Sequence, residues 1–330
     1  MVDVATSGTG LRDPQGRTLS YLRLAVTERC DLRCSYCRTE GADSSGPDAM
    51  SLDVVRVVGT AFARHLGFRK VRLTGGEPLL RSDVPSIVRG MREAGFERVA
   101  LTTNGRLLAR SIRPLVDAGL DQVNVSLDTL CAGSYRDVRG ADAFREVVGG
   151  IEAALGAGVS TVKVNVVLLK SVGFVEFDSF LDWGAGRPLE IRFIELMPVE
   201  GLDEFHRRES VSSEPLVERV RARGFVPVAR ESSAGPAVVY ERPGDPLRVG
   251  FVRAITGPFC ERCNRLRVTS RGALKLCLFG RGYVDLLPLA AQGPEAVAQA
   301  VHRAVALREE GIRSTGRAIS CDAGMRGIGG

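Results

Sequence analysis

Six of the eight cysteines fall into two compact groups: Cys30, Cys34 and Cys37, then Cys260, Cys263 and Cys277. In a reducing compartment such clustering reads as metal ligation or catalysis rather than disulfides. Cys30-x-x-x-Cys34-x-x-Cys37 offers three thiolates in the loop after a candidate strand. Three thiolates can hold three corners of a four-iron, four-sulfur cluster, whereas an electron carrier normally closes all four corners with Cys. The remaining iron is then an open coordination position, as in catalytic rather than structural metal sites. Structural zinc is the competing reading, but it needs a fourth ligand. His65, the nearest His, falls in an amphipathic helical pattern, where a surface or satisfied core role is expected. Cys260-x-x-Cys263, thirteen residues and then Cys277 again give three thiolates, with distant Cys321 as the conceivable fourth ligand of a zinc ribbon. Cys131 and Cys321 stand alone and read as small buried hydrophobes.

Beside the second group, Arg265 and Arg267 are two apart in a candidate strand and so project to one face. Guanidinium forks match phosphate oxygens. The formal charge of +6 comes almost wholly from arginines scattered along the chain, with Lys only at 70, 163, 170 and 275. Scatter of this kind argues against a nucleic-acid stripe and remains compatible with a small phosphorylated substrate. Gly75-Gly76-Glu77-Pro78 follows the second candidate strand. Alone this segment also reads as a simple turn, although its glycines permit close backbone approach to a ligand and a carboxylate such as Glu77 can accept from an ammonium.

The elements that must position these groups alternate from residue 20 to about 196. Strand patterns over 21–27, 70–74, 98–102, 122–127, 161–169 and 189–196 are rich in Val, Ile, Leu and Thr, as expected of strands buried on both faces. Helical patterns over 52–65, 84–93, 107–117 and 143–157 separate them, with Ser51 and Asp83 as expected N-caps and Gly67, Gly95, Gly119 and Gly158 as expected helix ends. Six strand–helix repeats imply parallel strands with right-handed crossovers. Polar signatures after nearly every strand favour a barrel over a Rossmann sheet, whose chemistry sits at one switch point. The expected fold is therefore α/β, an incomplete (β/α)6 TIM-type barrel at 20–200, preceded by a segment at 1–19. It is followed at 201–330 by an extension with short strands in 230–256 and 266–278 and a helix over 295–307. At 330 residues, a main domain plus an extension is the natural size. The 44% hydrophobic and 25% charged content is that of an ordinary globular chain. Residues 1–17 have no signal-peptide core and no apolar run approaches a membrane span, so a cytoplasmic protein is expected.

The loop C-x-x-x-C-x-x-C with Tyr36 before its last Cys, followed by Gly75-Gly76-Glu77-Pro78, resembles the radical SAM superfamily. There S-adenosylmethionine (SAM) chelates the open iron and yields a 5′-deoxyadenosyl radical. The stretch 259–267 around Phe259-Cys260-x-x-Cys263-Asn264-Arg265-Leu266-Arg267, with Leu276-Cys277-Leu278-Phe279, narrows the resemblance to the GTP 3′,8-cyclase family of molybdenum-cofactor biosynthesis, and the similarity runs over residues 20–330.

That resemblance implies a lyase with two 4Fe-4S clusters facing one cavity. It abstracts hydrogen from C3′ of GTP to give 3′,8-cyclo-7,8-dihydro-GTP. By motif position, Cys30, Cys34 and Cys37 hold the SAM cluster, and Tyr36, Gly76, Ser126 and Met197 contact SAM. Cys260, Cys263 and Cys277 hold the second cluster, and Arg23, Arg72, Thr102, Lys163, Arg265, Leu266 and Arg267 bind GTP. Gly329 and Gly330 form a tail that reaches the active site. The implied partners are GTP, a downstream cyclic pyranopterin monophosphate synthase and an electron donor such as flavodoxin or ferredoxin. A homodimer is allowed, and neither nucleic acid nor a membrane is expected. Arg38-Thr39-Glu40 and the stretch 322–326 depart from the family pattern. A peptide-modifying radical SAM enzyme and a non-enzymatic iron–sulfur carrier are the competing classes.

Overall fold

The computed structural model describes residues 10–37, 50–229, 235–257, 259–280, 283–308 and 319. Cys321, residues 38–40 and 322–326, and Gly329-Gly330 lie outside the described residues.

The alternation expected from the sequence is present. It runs β1 (Tyr21–Ala25), α1 (Leu52–Thr60), β2 (Lys70–Thr74), α2 (Val84–Ala94), β3 (Arg98–Thr103), α3 (Leu108–Asp117), β4 (Gln122–Ser126), α4 (Ala132–Arg139), α5 (Phe144–Gly156), β5 (Thr161–Leu168), α6 (Phe177–Gly184) and β6 (Leu189–Glu195). Then come α7 (Asp203–Glu209), α8 (Glu214–Ala222), β7 (Val226–Pro227), β8 (Val238–Arg242), β9 (Asp245–Val252), β10 (Arg265–Val268), β11 (Ala273–Lys275), β12 (Tyr283–Asp285), α9 (Leu287–Ala290) and α10 (Pro294–Val305). The expected helix over 52–65 ends in a π turn at Ala61–His65, where Leu66 N–H reaches back to the Ala61 carbonyl. His65 lies on the surface against Glu295. Ser51 caps α1 through Val54 N–H. Asp83 does not cap α2: both of its carboxylate oxygens are taken by the Arg81 guanidinium, at 2.9 and 2.7 Å.

All strands join one open sheet in the order β12-β11-β10-β1-β2-β3-β4-β5-β6-β9-β8-β7. Strands β1 to β6 are mutually parallel, and two later strands extend them in the same sense: β10 pairs parallel with β1 and β9 pairs parallel with β6. The C-terminal third thus contributes to both flanks of the six-stranded sheet.

The strands are not apolar on both faces. In β5, Val162, Val164 and Val166 enter the core, while Thr161, Lys163 and Asn165 face the cavity described below. The same alternation divides Val71 and Leu73 from Lys70 and Arg72, and Val123 and Val125 from Gln122 and Asn124. The helices cover only the apolar face. The other face is polar because it encloses space rather than protein. No helix among the described residues is long and apolar enough to cross a membrane.

Candidate active site

Register brings the basic residues together. Across the sheet, Arg267 on β10, Arg23 on β1 and Arg72 on β2 are direct neighbours, and Arg265, Tyr21 and Lys70 form the adjacent row. A third row runs Thr102, Asn124, Lys163, Glu190 and Arg248 through β3, β4, β5, β6 and β9. All line one cavity of about 610 Å³, along with Met197, Phe259, Cys260, Cys263 and Cys277. Residues of β10 and β9, seven strands apart in the order, both border it. At about 4.8 Å between strands, a flat sheet would hold them more than 30 Å apart, so the sheet curves around the cavity.

Ten Arg and Lys side chains line this space against Asp121 and Glu190, a balance suited to a polyanion. The arginines dispersed along the sequence converge here. Leu266, between Arg265 and Arg267, points the other way and is buried in the core, so its side chain does not reach the cavity. The crowding of like charge perturbs the lining groups. Burial and the neighbouring Arg267 hold Arg23 well below its ordinary value, and burial and Arg265 lower Arg267 to about 10. Burial and then Arg192 lower Lys163 to about 7, although Glu190 opposes this as its direct partner. Tyr21 is lowered to about 7, because Arg72, Lys70 and Arg23 outweigh the opposing effect of burial. Arg72 donates to Tyr21 Oη, the Leu101 carbonyl and Thr102 Oγ1. Arg265 stacks on the Phe259 ring at 4.8 Å. Tyr21, Glu190, Arg192 and Asn165 were not singled out from the sequence, yet the alternation of polar and apolar residues in β1, β5 and β6 carried the signal.

The first cysteine group occupies the loop after β1 and is gripped by the strand-end loops around it. Gly76 N–H donates to the Thr27 carbonyl at 2.8 Å and Glu77 N–H to that of Arg29 at 2.7 Å. A Cβ on Gly76 would lie 2.2 Å from the Arg29 carbonyl oxygen, and one on Gly75, whose φ is +150°, 2.3 Å from that of Thr27. These glycines therefore clamp the cysteine loop itself. Glu77 is not available to an ammonium: it is fully buried and accepts from Thr103 Oγ1, Asn104 N–H and Leu79 N–H. Burial, only partly offset by these bonds, raises its carboxyl to about 7.

From the far side, Arg33 N–H and Ser35 N–H satisfy the carbonyls of Arg139 and Val138, which the end of α4 leaves open. Arg139 itself is buried. It donates to Cys34 Sγ at 3.3 Å, to Tyr36 Oη and to the Ser126 carbonyl, and pairs with Asp128 at 3.3 Å. Tyr36 Oη donates to Asp128 at 2.7 Å. Thus Cys34, Tyr36 and Ser126 share one buried guanidinium that the sequence did not single out. Cys30, Cys34, Cys37, Tyr36, Gly76 and Ser126 do not line the cavity, which is bordered by the second group and Met197.

Among the described residues no three His, Cys, Asp or Glu side chains close on a point that would hold a single ion. The fit to a cluster rests on donor chemistry: three half-buried thiols beside a buried cation in both groups, within one loop in the first and split by β10 and β11 in the second. In the second group, arginines 265 and 308 lower the Cys263 thiol to about 6 despite burial, favouring the thiolate that iron requires. Cys131, expected to be buried, is exposed at the start of α4, and a hydrogen bond from the Ser134 backbone lowers its thiol.

A family model described as Radical SAM superfamily matches residues 24–184, and one described as Molybdenum Cofactor Synthesis C matches 189–314. Among solved structures, Streptococcus suis SuiB bound to S-adenosylmethionine superposes with a TM-score of 0.58 at 15% identity, over 86% of this chain and 68% of that one. SuiB bound to its precursor peptide SuiA superposes with a TM-score of 0.59 at 14% identity, over 86% and 66%. These two likenesses concern the fold alone. A GTP 3′,8-cyclase of Cronobacter sakazakii is 44% identical over 287 residues, 86% of this chain and 87% of its own. With that identity across most of both chains, this protein belongs to the GTP 3′,8-cyclase family of radical SAM enzymes.

Proposed function

We propose that this protein converts GTP to 3′,8-cyclo-7,8-dihydro-GTP, the first step of molybdenum-cofactor biosynthesis, in the cavity of an incomplete (β/α)6 barrel. The observation that carries the reading is the convergence of Arg23, Arg72, Lys163, Arg265 and Arg267 with the second cysteine group in one cavity. A triphosphate needs several cations, and guanidiniums offer it paired donors. A peptide substrate has no comparable need for ten basic side chains, which disfavours the peptide-modifying class.

When bound, a cluster on Cys30, Cys34 and Cys37 together with SAM supplies the 5′-deoxyadenosyl radical. The chain's own work is positioning. Gly75 and Gly76 fix the cysteine loop, Tyr36, Ser126 and Arg139 brace it, and Met197, which lines the cavity, contacts SAM. Cys260, Cys263 and Cys277 would hold a second cluster, which would supply a Lewis-acidic iron for the guanine. Arg23, Arg72, Thr102, Lys163, Arg265 and Arg267 orient the ribose and phosphates, and any part for Leu266 is played by its backbone. Residues 20–200 form the radical SAM partial barrel, which also supplies Arg23, Arg72, Thr102 and Lys163 to the substrate, and 201–330 the auxiliary-cluster and substrate-binding region. The product passes to a cyclic pyranopterin monophosphate synthase, and a flavodoxin- or ferredoxin-type donor supplies the electron.

The test is an anaerobic assay of reconstituted protein with dithionite, SAM and GTP, following 5′-deoxyadenosine and cyclised nucleotide together. GTP-dependent formation of both is expected. Deoxyadenosine without a nucleotide product would overturn the substrate assignment.

A further inference from the structure

The second cysteine group is held by residues that lie far away in sequence. Residues 11–19 form a small hairpin in which Leu19 N–H donates to the Leu11 carbonyl and Arg12 pairs with Thr18. Asp13, buried in its turn, accepts Arg17 N–H at 2.9 Å and Gln15 N–H at 3.2 Å on Oδ1. Its Oδ2 accepts two guanidiniums, Arg17 Nε and Arg308 Nη1, each at 2.6 Å.

Both arginines continue to the cysteines. Arg17 Nη1 donates to the Cys260 carbonyl at 2.8 Å. Arg308 donates to Cys263 Sγ and to the Cys263 carbonyl, each at 3.3 Å, and to the Leu276 carbonyl, beside Cys277, at 3.0 Å. One aspartate thus fixes two cations that between them touch the backbone at or beside all three cysteines and one of the sulfurs. Buried charges are rare unless paired, and a surface loop has no need of this arrangement.

We infer that Asp13, Arg17 and Arg308 form a positioning clamp that sets the geometry and electronic environment of the second cluster. The inference rests on the reading of Cys260, Cys263 and Cys277 as cluster ligands. Hydrogen bonds to ligand sulfurs and local charge tune cluster potentials, and supporting partners of metal ligands govern metal retention. The clamp carries a net positive charge and one N–H to sulfur, so it stabilises the reduced cluster.

The experiment uses the full chain with Cys30, Cys34 and Cys37 replaced by Ala, so that the second cluster is the only one present. Arg308→Met, Arg308→Lys and Asp13→Asn are compared with this parent for iron loss to a chelator, midpoint potential and the electron paramagnetic resonance signal with and without GTP. Arg308→Met and Asp13→Asn should lose iron roughly 10- to 100-fold faster, and Arg308→Met should lower the midpoint potential. Arg308→Lys should recover the potential in part, because it keeps the charge. Asp13→Asn, which preserves size, keeps the test open if Arg308→Met does not fold. A parent that holds iron while its variants match it in all three readouts would overturn the clamp alone. A parent that binds no cluster would overturn the two-cluster reading as well.

Discussion

Arg139 places a guanidinium nitrogen 3.3 Å from Cys34 Sγ while its other contacts secure Tyr36, Ser126 and Asp128. Asp128 is fully buried, so removing the cation strands a carboxylate in the interior. Arg139→Met should lower stability by about 3–5 kcal/mol, the usual cost of breaking a buried pair from one side. Combining it with Asp128→Asn should return part of that loss. Urea denaturation of the two single variants and the double variant gives the coupling energy; strict additivity would show that the pair does not act as a unit.

Gly76 leaves no space for a methyl group, because the carbonyls of Glu28 and Arg29 would lie 2.6 and 2.2 Å from it. Backbone, not a flexible side chain, would have to move, and it is the backbone of the cysteine loop. Gly76→Ala should reduce SAM cleavage by roughly 100-fold or more, the scale expected when a reacting group is displaced by about an ångström. Quantifying 5′-deoxyadenosine in a reconstituted, iron-matched preparation provides the check.

Glu77 keeps its proton in the folded state up to about pH 7 because of burial, against an ordinary value of 4.5. Between those values the folded chain binds more protons than the unfolded one, so stability falls as pH climbs through that window. The Glu77 contribution is most favourable below about 4.5. Glu77→Gln should flatten this decline, as seen in urea midpoints measured at pH 5 and pH 7.5.

Lys163 is lowered to about 7 by burial and Arg192, so it carries charge below that pH and loses it above. An anionic substrate favours the charged form, and GTP binding should weaken as pH rises from 7 to 9. Lys163→Met should reduce this pH dependence, leaving the part that Tyr21, also lowered to about 7, adds as it becomes anionic, and raise the KM for GTP at pH 7 by roughly 10- to 100-fold, as for loss of one charge-assisted hydrogen bond. Steady-state KM values for both proteins across that range decide it.

The cysteine spacing and the six strand–helix repeats were legible because each is a local pattern: thiols within one loop, or apolar residues at a fixed period. Arg139, Asp128, Arg308 and Glu190 were not, because a single charged residue has no periodicity and their partners lie far away. Asp13 and Arg308 meet across almost the whole chain. Glu77 misled for a related reason: a carboxylate beside two glycines looks ligand-facing until β3 and its loop supply Thr103 and Asn104. Likewise, a Val-rich β5 suggested burial on both faces, although Lys163 and Asn165 already interrupted one of them.

The parallel pairing of β10 on β1 sets a timetable for biogenesis. At ~5–20 residues per second of synthesis, the outer edge of β1 emerges from the ribosome some tens of seconds before the strand that covers it. An uncovered strand edge is a template for misassociation, and contacts this distant in sequence form slowly. The nascent enzyme therefore passes through a long interval with six strands in hand and both flanks bare. During that interval the thiols of Cys260, Cys263 and Cys277 have not yet been made, so the first thiol loop is complete before the second group exists.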